Sequence, residues 1–207
     1  MAETIIAFKC RDFVLVAASG LSSHYYIKIT DDEDKITTLD PHKMMVCSGE
    51  NGPRVNFTEY IKANIQLNTV RQHGRRSSTP STAAFIRQQL ASSLRSRDGA
   101  YLVNSLLAGF DVKASEYDEE GGHGSYLYYL DYIGTLQEVN YGCHGYGGTF
   151  VTAILDQLWA PDLDPAAAMV LLQKCCDEVK KRIIISNTHF VCRVVSVKGI
   201  ENLPQVH

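Results

Sequence analysis

The chain has 207 residues, 45% hydrophobic and 21% charged, with a formal net charge of −3. That composition suits a globular protein able to bury one sizeable core, and it speaks against a nucleic-acid-binding surface. No run reaches the roughly 18 apolar residues that a bilayer span requires, and no signal-peptide pattern is present, so a single intracellular domain over residues 1–207 is expected, without membrane or nucleic-acid partners.

The chain opens on an apolar run, residues 3–10, followed after Arg11-Asp12 by a second, residues 13–18. Two β-rich runs this close together predict a hairpin. A short strand is expected around Tyr25 to Ile29, then a solvated acidic turn at residues 31–34, and strands at residues 35–39 and 44–47 separated by Asp40-Pro41-His42-Lys43. The reading over residues 1–49 is all β.

The character then changes. Asn51-Gly52-Pro53 reads as a break, after which Phe57, Tyr60, Ile61, Ile65 and Leu67 mark one face of a helix over residues 55–71. The basic cluster Arg71, His73, Arg75 and Arg76 reads as its solvated end. N-cap candidates at residues 77–82 start a second helix reaching about residue 97, with Ala83, Ile86, Leu90 and Leu94 on one face. Strands return at residues 101–110, 125–131 and 134–139, with a charged, glycine-rich loop over residues 116–124 between the first two. The turn over residues 142–148 opens a third helix carrying Phe150, Val151, Ile154, Leu155, Leu158 and Trp159. Asp164-Pro165, an N-cap acid before a first-turn proline, starts a fourth carrying Val170, Leu171, Cys175, Val179 and Ile183. Residues 190–197 are the last strand.

Strands and helices therefore come in blocks, which favours antiparallel sheets. An α+β fold results, in which two sheets between two helical layers bury each apolar face once.

Chemical motifs are sparse. The turn at residues 142–148 lacks the Gly-Lys-Ser/Thr ending of a phosphate loop, and there is neither Gly-x-Ser-x-Gly nor His-Glu-x-x-His. Six cysteines lie scattered in apolar stretches without C-x-x-C spacing, and the seven histidines form no pair at ligand spacing, so no metal or cofactor is expected. Lys35, at the start of a strand near the opening one, could lower the pKa of a nucleophile and relay a proton.

The segments Thr4-Ile5-Ile6-Ala7-Phe8-Lys9, Val14-Leu15-Val16-Ala17-Ala18-Ser19, Lys35-Ile36, Ser48-Gly49 and Gly145-Tyr146-Gly147 are specific. Together with the block order, they resemble proteasome β-subunits over essentially the whole chain. The resemblance implies a four-layer αββα sandwich and a role in the 20S core, in ATP- and ubiquitin-dependent protein degradation. It further implies neighbouring β-subunits in a seven-membered ring, an α-subunit ring, an opposite β-ring, and a cytoplasmic and nuclear location.

Active members of that family attack peptide carbonyls with the hydroxyl of a freed N-terminal threonine, whose α-amine acts as base. Aligned on the quoted segments, the nucleophile's position falls on Glu3 and its aspartate on Ser19. The lysine matches Lys35 and the oxyanion glycine Gly49. The serine of the Ser-Gly-Ser turn becomes His144, and a second aspartate near the start of the last strand becomes Ile183. The resemblance thus implies a degenerate, non-catalytic site. Thr4 is the neighbouring hydroxyl on which residual threonine-protease activity would have to rest, but adjacent strand residues face opposite ways. A stand-alone binding module built on Tyr126, Tyr128 and Tyr129 is a third reading. Neighbour contacts are expected at residues 31–34, 116–124 and 200–207.

Overall fold

The structure is a computed structural model, described here for residues 3–24, 27–97, 99–112, 124–183 and 189–206. The first sheet has the order β10-β1-β2-β11-β12, with β1 Ile5–Lys9, β2 Phe13–Ser19, β10 Tyr141–His144, β11 Phe190–Ser196 and β12 Gly199–Asn202. The second has the order β5-β6-β7-β8-β9, with β5 Ile36–Asp40, β6 Lys43–Gly49, β7 Val103–Asp111, β8 Gly124–Leu130 and β9 Leu136–Glu138. Every ladder is antiparallel. A separate two-stranded piece joins β3 Ser22–His24 to β4 Ile27–Thr30.

Three apolar layers hold the four-layer sandwich together. Between the sheets lie Ile5, Ala7, Val14, Val16, Met44, Val46, Leu106 and Ala108. Helices α1 Asn51–Arg71 and α2 Thr79–Ser93 cover the second sheet through Phe57, Ile61, Ile86 and Leu90. Helices α3 Gly148–Leu158 and α4 Pro165–Arg182 cover the first through Val151, Leu155, Leu172 and Val179. The period-2 alternation of β1 assigns its two faces: Ile5 and Ala7 meet the other sheet, while Ile6 and Phe8 meet the helices.

Several boundaries differ from the sequence reading for physical reasons. Asn51, Gly52 and Pro53 do not break the chain but form the first turn of α1, where a missing N–H costs nothing. The buried stripe of α1 is Arg54, Phe57, Thr58, Ile61 and Ile65, while Tyr60 and Leu67 are exposed. Helix α2 ends at Ser93 and leaves Leu94 exposed; Val170 on α4 and Leu158 on α3 are exposed too.

Strands β10 and β12 form where the sequence pattern predicts a turn and a chain end. Gly142 and Cys143 look like turn residues, yet they pair with Ala7 and Ile6. The segment after β11 is no free arm: β12 folds back on β11, and Val206 exchanges hydrogen bonds with Phe190 at 3.0 and 3.2 Å. Residues 116–123, and Tyr25 and Tyr26, lie outside the described residues.

The helix starts follow local chemistry. Asp164 accepts from the Ala167 N–H at 2.8 Å, and Ser78 caps α2 through the Ser81 N–H at 3.3 Å. Asp111, at the end of β7, takes both the N–H and the hydroxyl of Thr79, fixing α2 to the sheet. Thr79 also packs where a side chain on Gly109 would have to sit, with its Oγ1 only 2.3 Å from an added Cβ. The tyrosines of β8 serve packing: Tyr126 and Tyr128 stack at 6.4 Å on the helix side, while Tyr129 faces the other sheet.

Candidate functional site

The strand alternation of β1 continues into the two residues before it. Thr4 still belongs to the ladder, its carbonyl accepting from the Ser19 N–H at 2.9 Å. Its side chain lies on the helix side, where an added Cβ on Gly147 would stand 2.5 Å from Thr4 Oγ1 and 3.0 Å from Val179. Glu3 points the opposite way, toward the second sheet. The glycine turn roofs this junction: Gly145 adopts φ +93°, and a Cβ there would fall 1.7 Å from the Glu3 carbonyl oxygen. That close backbone approach is what the glycines provide, in place of a phosphate cradle.

The Glu3 carboxylate meets Lys35 and Gly49. Its Oε1 lies 3.7 Å from Lys35 Nζ, and its Oε2 accepts from the Gly49 N–H at 3.4 Å. Gly49 ends β6, and a side chain there would come to 3.0 Å of the Leu102 carbonyl oxygen. Lys35 is 1% exposed. Two of its donors go to the carbonyls of Ser19 (2.8 Å) and Leu21 (2.5 Å). Glu33 Oε2 stands 3.7 Å from the same ammonium, an ion-pair distance and not a hydrogen bond. Glu33 Oε1 in turn binds the buried Arg54 guanidinium, which also reaches Asn51 Oδ1 at 3.3 Å.

The group therefore holds two carboxylates and two cations, and its charges cancel. Burial pushes the Glu3 carboxyl up, opposed by Lys35 and the Gly49 N–H, and it pushes the Lys35 ammonium down, opposed by Glu3 and Glu33.

The remaining matched positions are distributed around this group. Ser19 contributes its carbonyl to Lys35, and its hydroxyl accepts from the Leu21 N–H at 3.3 Å. His144 pairs in register with Ile5, so it also faces the inter-sheet layer. Its ring stacks on Tyr129 at 4.2 Å, and Nε2 lies 3.3 Å from the Ser105 carbonyl. Because a carbonyl only accepts, that nitrogen carries the proton. Burial holds the imidazole down at about 4, so it is neutral. Ile183 is not brought to the site. It caps the C-terminus of α4, seven residues ahead of β11, and packs in the helix-facing layer.

Two members of the group are missed by sequence reasoning. Glu33 reads as part of a solvated acidic turn, and Arg54 lies next to an apparent break. Arg54 was recoverable, since it stands three residues before Phe57 and seven before Ile61 on one stripe. For Glu33, no local signal distinguishes it from Asp32. The cysteines behave as small core residues: burial pushes the thiols of Cys47 and Cys175 up to about 12.

Comparison with known proteins decides the lineage. The model for "Proteasome subunit" matches residues 1–195. The chain belongs to the proteasome subunit family. Relatives from the β branch extend this over the full length. "Proteasome subunit beta type-2" of Trypanosoma brucei brucei is 60% identical over 206 residues, covering 100% of both chains. The protein of the same name from Dictyostelium discoideum is 42% identical over 202 residues, covering 98% of this chain and 97% of its own. "Proteasome subunit beta type-4" of Saccharomyces cerevisiae is 34% identical over 201 residues, covering 97% and 96%. The resemblance read from the opening strands is thereby borne out, and the chain is a β-type proteasome subunit.

Proposed function

We propose that this β-subunit is a non-catalytic, structural member of the 20S core, contributing framework rather than a cutting site. The observation that carries the reading is the position of Glu3. Its carboxylate stands against Lys35 and Gly49, and Thr4, the adjacent hydroxyl, lies on the opposite face beneath Gly147. A carboxylate in this place has no hydroxyl to deliver to a peptide carbonyl, and the buried His144 is neutral and turned to the Ser105 carbonyl. Neither supplies the nucleophile-and-base pair that acyl transfer requires.

Within this reading the chain sits between two neighbours in a seven-membered β-ring, against an α-ring on one side and a second β-ring on the other, in cytoplasm and nucleus. Family membership supports assembly into the multi-subunit particle. The test is Thr4→Ala incorporated into the native particle. Particle mass and every peptidase activity should be unchanged; loss of one activity on this substitution would return the chain to the catalytic subunits.

A further inference from the structure

The Lys35 ammonium, just ahead of β5, and the Gly49 N–H, at the end of β6, approach the same carboxylate, which Glu3 supplies from just ahead of β1. Each participant is fixed independently. Lys35 is held by the Ser19 and Leu21 carbonyls. Glu3 is held by a backbone that Gly145 roofs on one side and that continues into the Thr4–Ser19 bond on the other. Glu33 stands at the same 3.7 Å from Lys35, but its other oxygen is engaged by Arg54, so it faces two cations at once, and the Gly49 N–H is directed to Glu3. With Glu3 present the four charged groups Glu3, Glu33, Lys35 and Arg54 cancel; without it a buried positive charge is left over, which is far costlier than the pair itself.

We propose that Lys35 and Gly49 form a carboxylate-binding site whose resident ligand is Glu3, so that the subunit is closed by an internal ligand and not only by the loss of a nucleophile. The proposal rests on the non-catalytic reading above and adds a ligand class to it. Ligand and receptor are parts of one chain, so the effective concentration is high and the site is filled in the folded protein. Emptied of Glu3, it should accept a small free carboxylate.

The experiment uses the full chain with Glu3→Ala and sodium formate as the probe. Thermal unfolding of the variant should fall by about 10 °C, the usual scale for a buried pair broken on one side in a protein of this size. Formate should restore part of that loss saturably, where sodium chloride at equal ionic strength does not. The wild-type chain and the double variant Glu3→Ala/Lys35→Met should show no specific response to formate. An undiminished midpoint in Glu3→Ala, or equal formate effects in Glu3→Ala and wild type, overturns the proposal. Where Glu3→Ala yields no folded chain, it is refolded in formate and in chloride: recovery with formate alone supports the site, and equal yields refute it. Peptidase loss on Thr4→Ala would remove the non-catalytic reading while leaving the formate titration unaffected, so the two failures are separable.

Discussion

The two faces at the start of β1 carry adjacent residues and treat polarity in opposite ways. On the inter-sheet side, Glu3 enters a group in which each charge has a countercharge and most donors have an acceptor. On the helix side, Thr4 Oγ1 is buried without a hydrogen-bond partner, pressed against Gly147 and Val179. A charge of either sign left alone between the sheets would cost several kcal/mol, so that face works only as a complete set. A lone hydroxyl costs far less, and the helix face carries one without further arrangement. The lesson is that burial selects for completeness in proportion to charge.

The comparison can be broken most severely at the turn that covers both faces. Gly145→Ala combines a left-handed φ of +93° with a Cβ that would fall 1.7 Å from the Glu3 carbonyl oxygen. It should cost about 4 kcal/mol in denaturant unfolding or leave no folded chain. Gly74→Ala is the control: φ is +90° but no atom lies within 4 Å of the added Cβ, so about 1 kcal/mol is expected. Equal costs at the two glycines would remove the close approach as the explanation.

Acid titration sharpens the inter-sheet side. The imidazole of His144 titrates near 6.5 in the unfolded chain and near 4 in the folded one. Between those values the unfolded chain binds the extra proton, so stability falls as pH drops through that window, by about 3 kcal/mol in all. Glu3 acts with the opposite sign, because its raised carboxyl takes up a proton earlier in the folded chain than in the unfolded one. Urea midpoints near pH 7 and near pH 4 should therefore converge in His144→Asn relative to wild type; an unchanged gap would place the acid sensitivity elsewhere.

The smallest effect belongs to the helix side. Thr4→Val removes a hydroxyl that has no partner and keeps the branched shape, and it should stabilise by up to about 1 kcal/mol. A loss of stability of that size instead would mean that the hydroxyl is satisfied in solution.

Much of this was legible in the sequence where a residue's role is local. The alternation of residues 3–9 separates Glu3 from Thr4, and the Asp164-Pro165 start of α4 is a rule of helix capping. What escaped is non-local. Nothing near Gly142 and Cys143 announces that they pair with Ala7 and Ile6, and their glycine-rich surroundings argue for a turn. Lys35 stands at the start of a strand, and only Glu33 among its partners is a sequence neighbour; the other three, Leu21, Ser19 and Glu3, are 14, 16 and 32 positions away. Glu33 and Asp32 are neighbours of identical charge sign, and only the packing of α1 brings Arg54 to one of them.

The two sheets also differ in how they can be completed. In the second sheet, strand order follows sequence order from β5 to β9, so each ladder can close on the strand made just before it. The first sheet is different: β1 pairs with residues 141–144, and β2 pairs with residues 190–196. Its contacts span most of the chain, the kind of high contact order whose loop-closure entropy slows folding. Strand β2 must therefore wait through synthesis for β11, and the opening strand keeps one edge unpaired until β10 arrives. The glycine roof over Glu3, which comes from the turn after β10, can close only then.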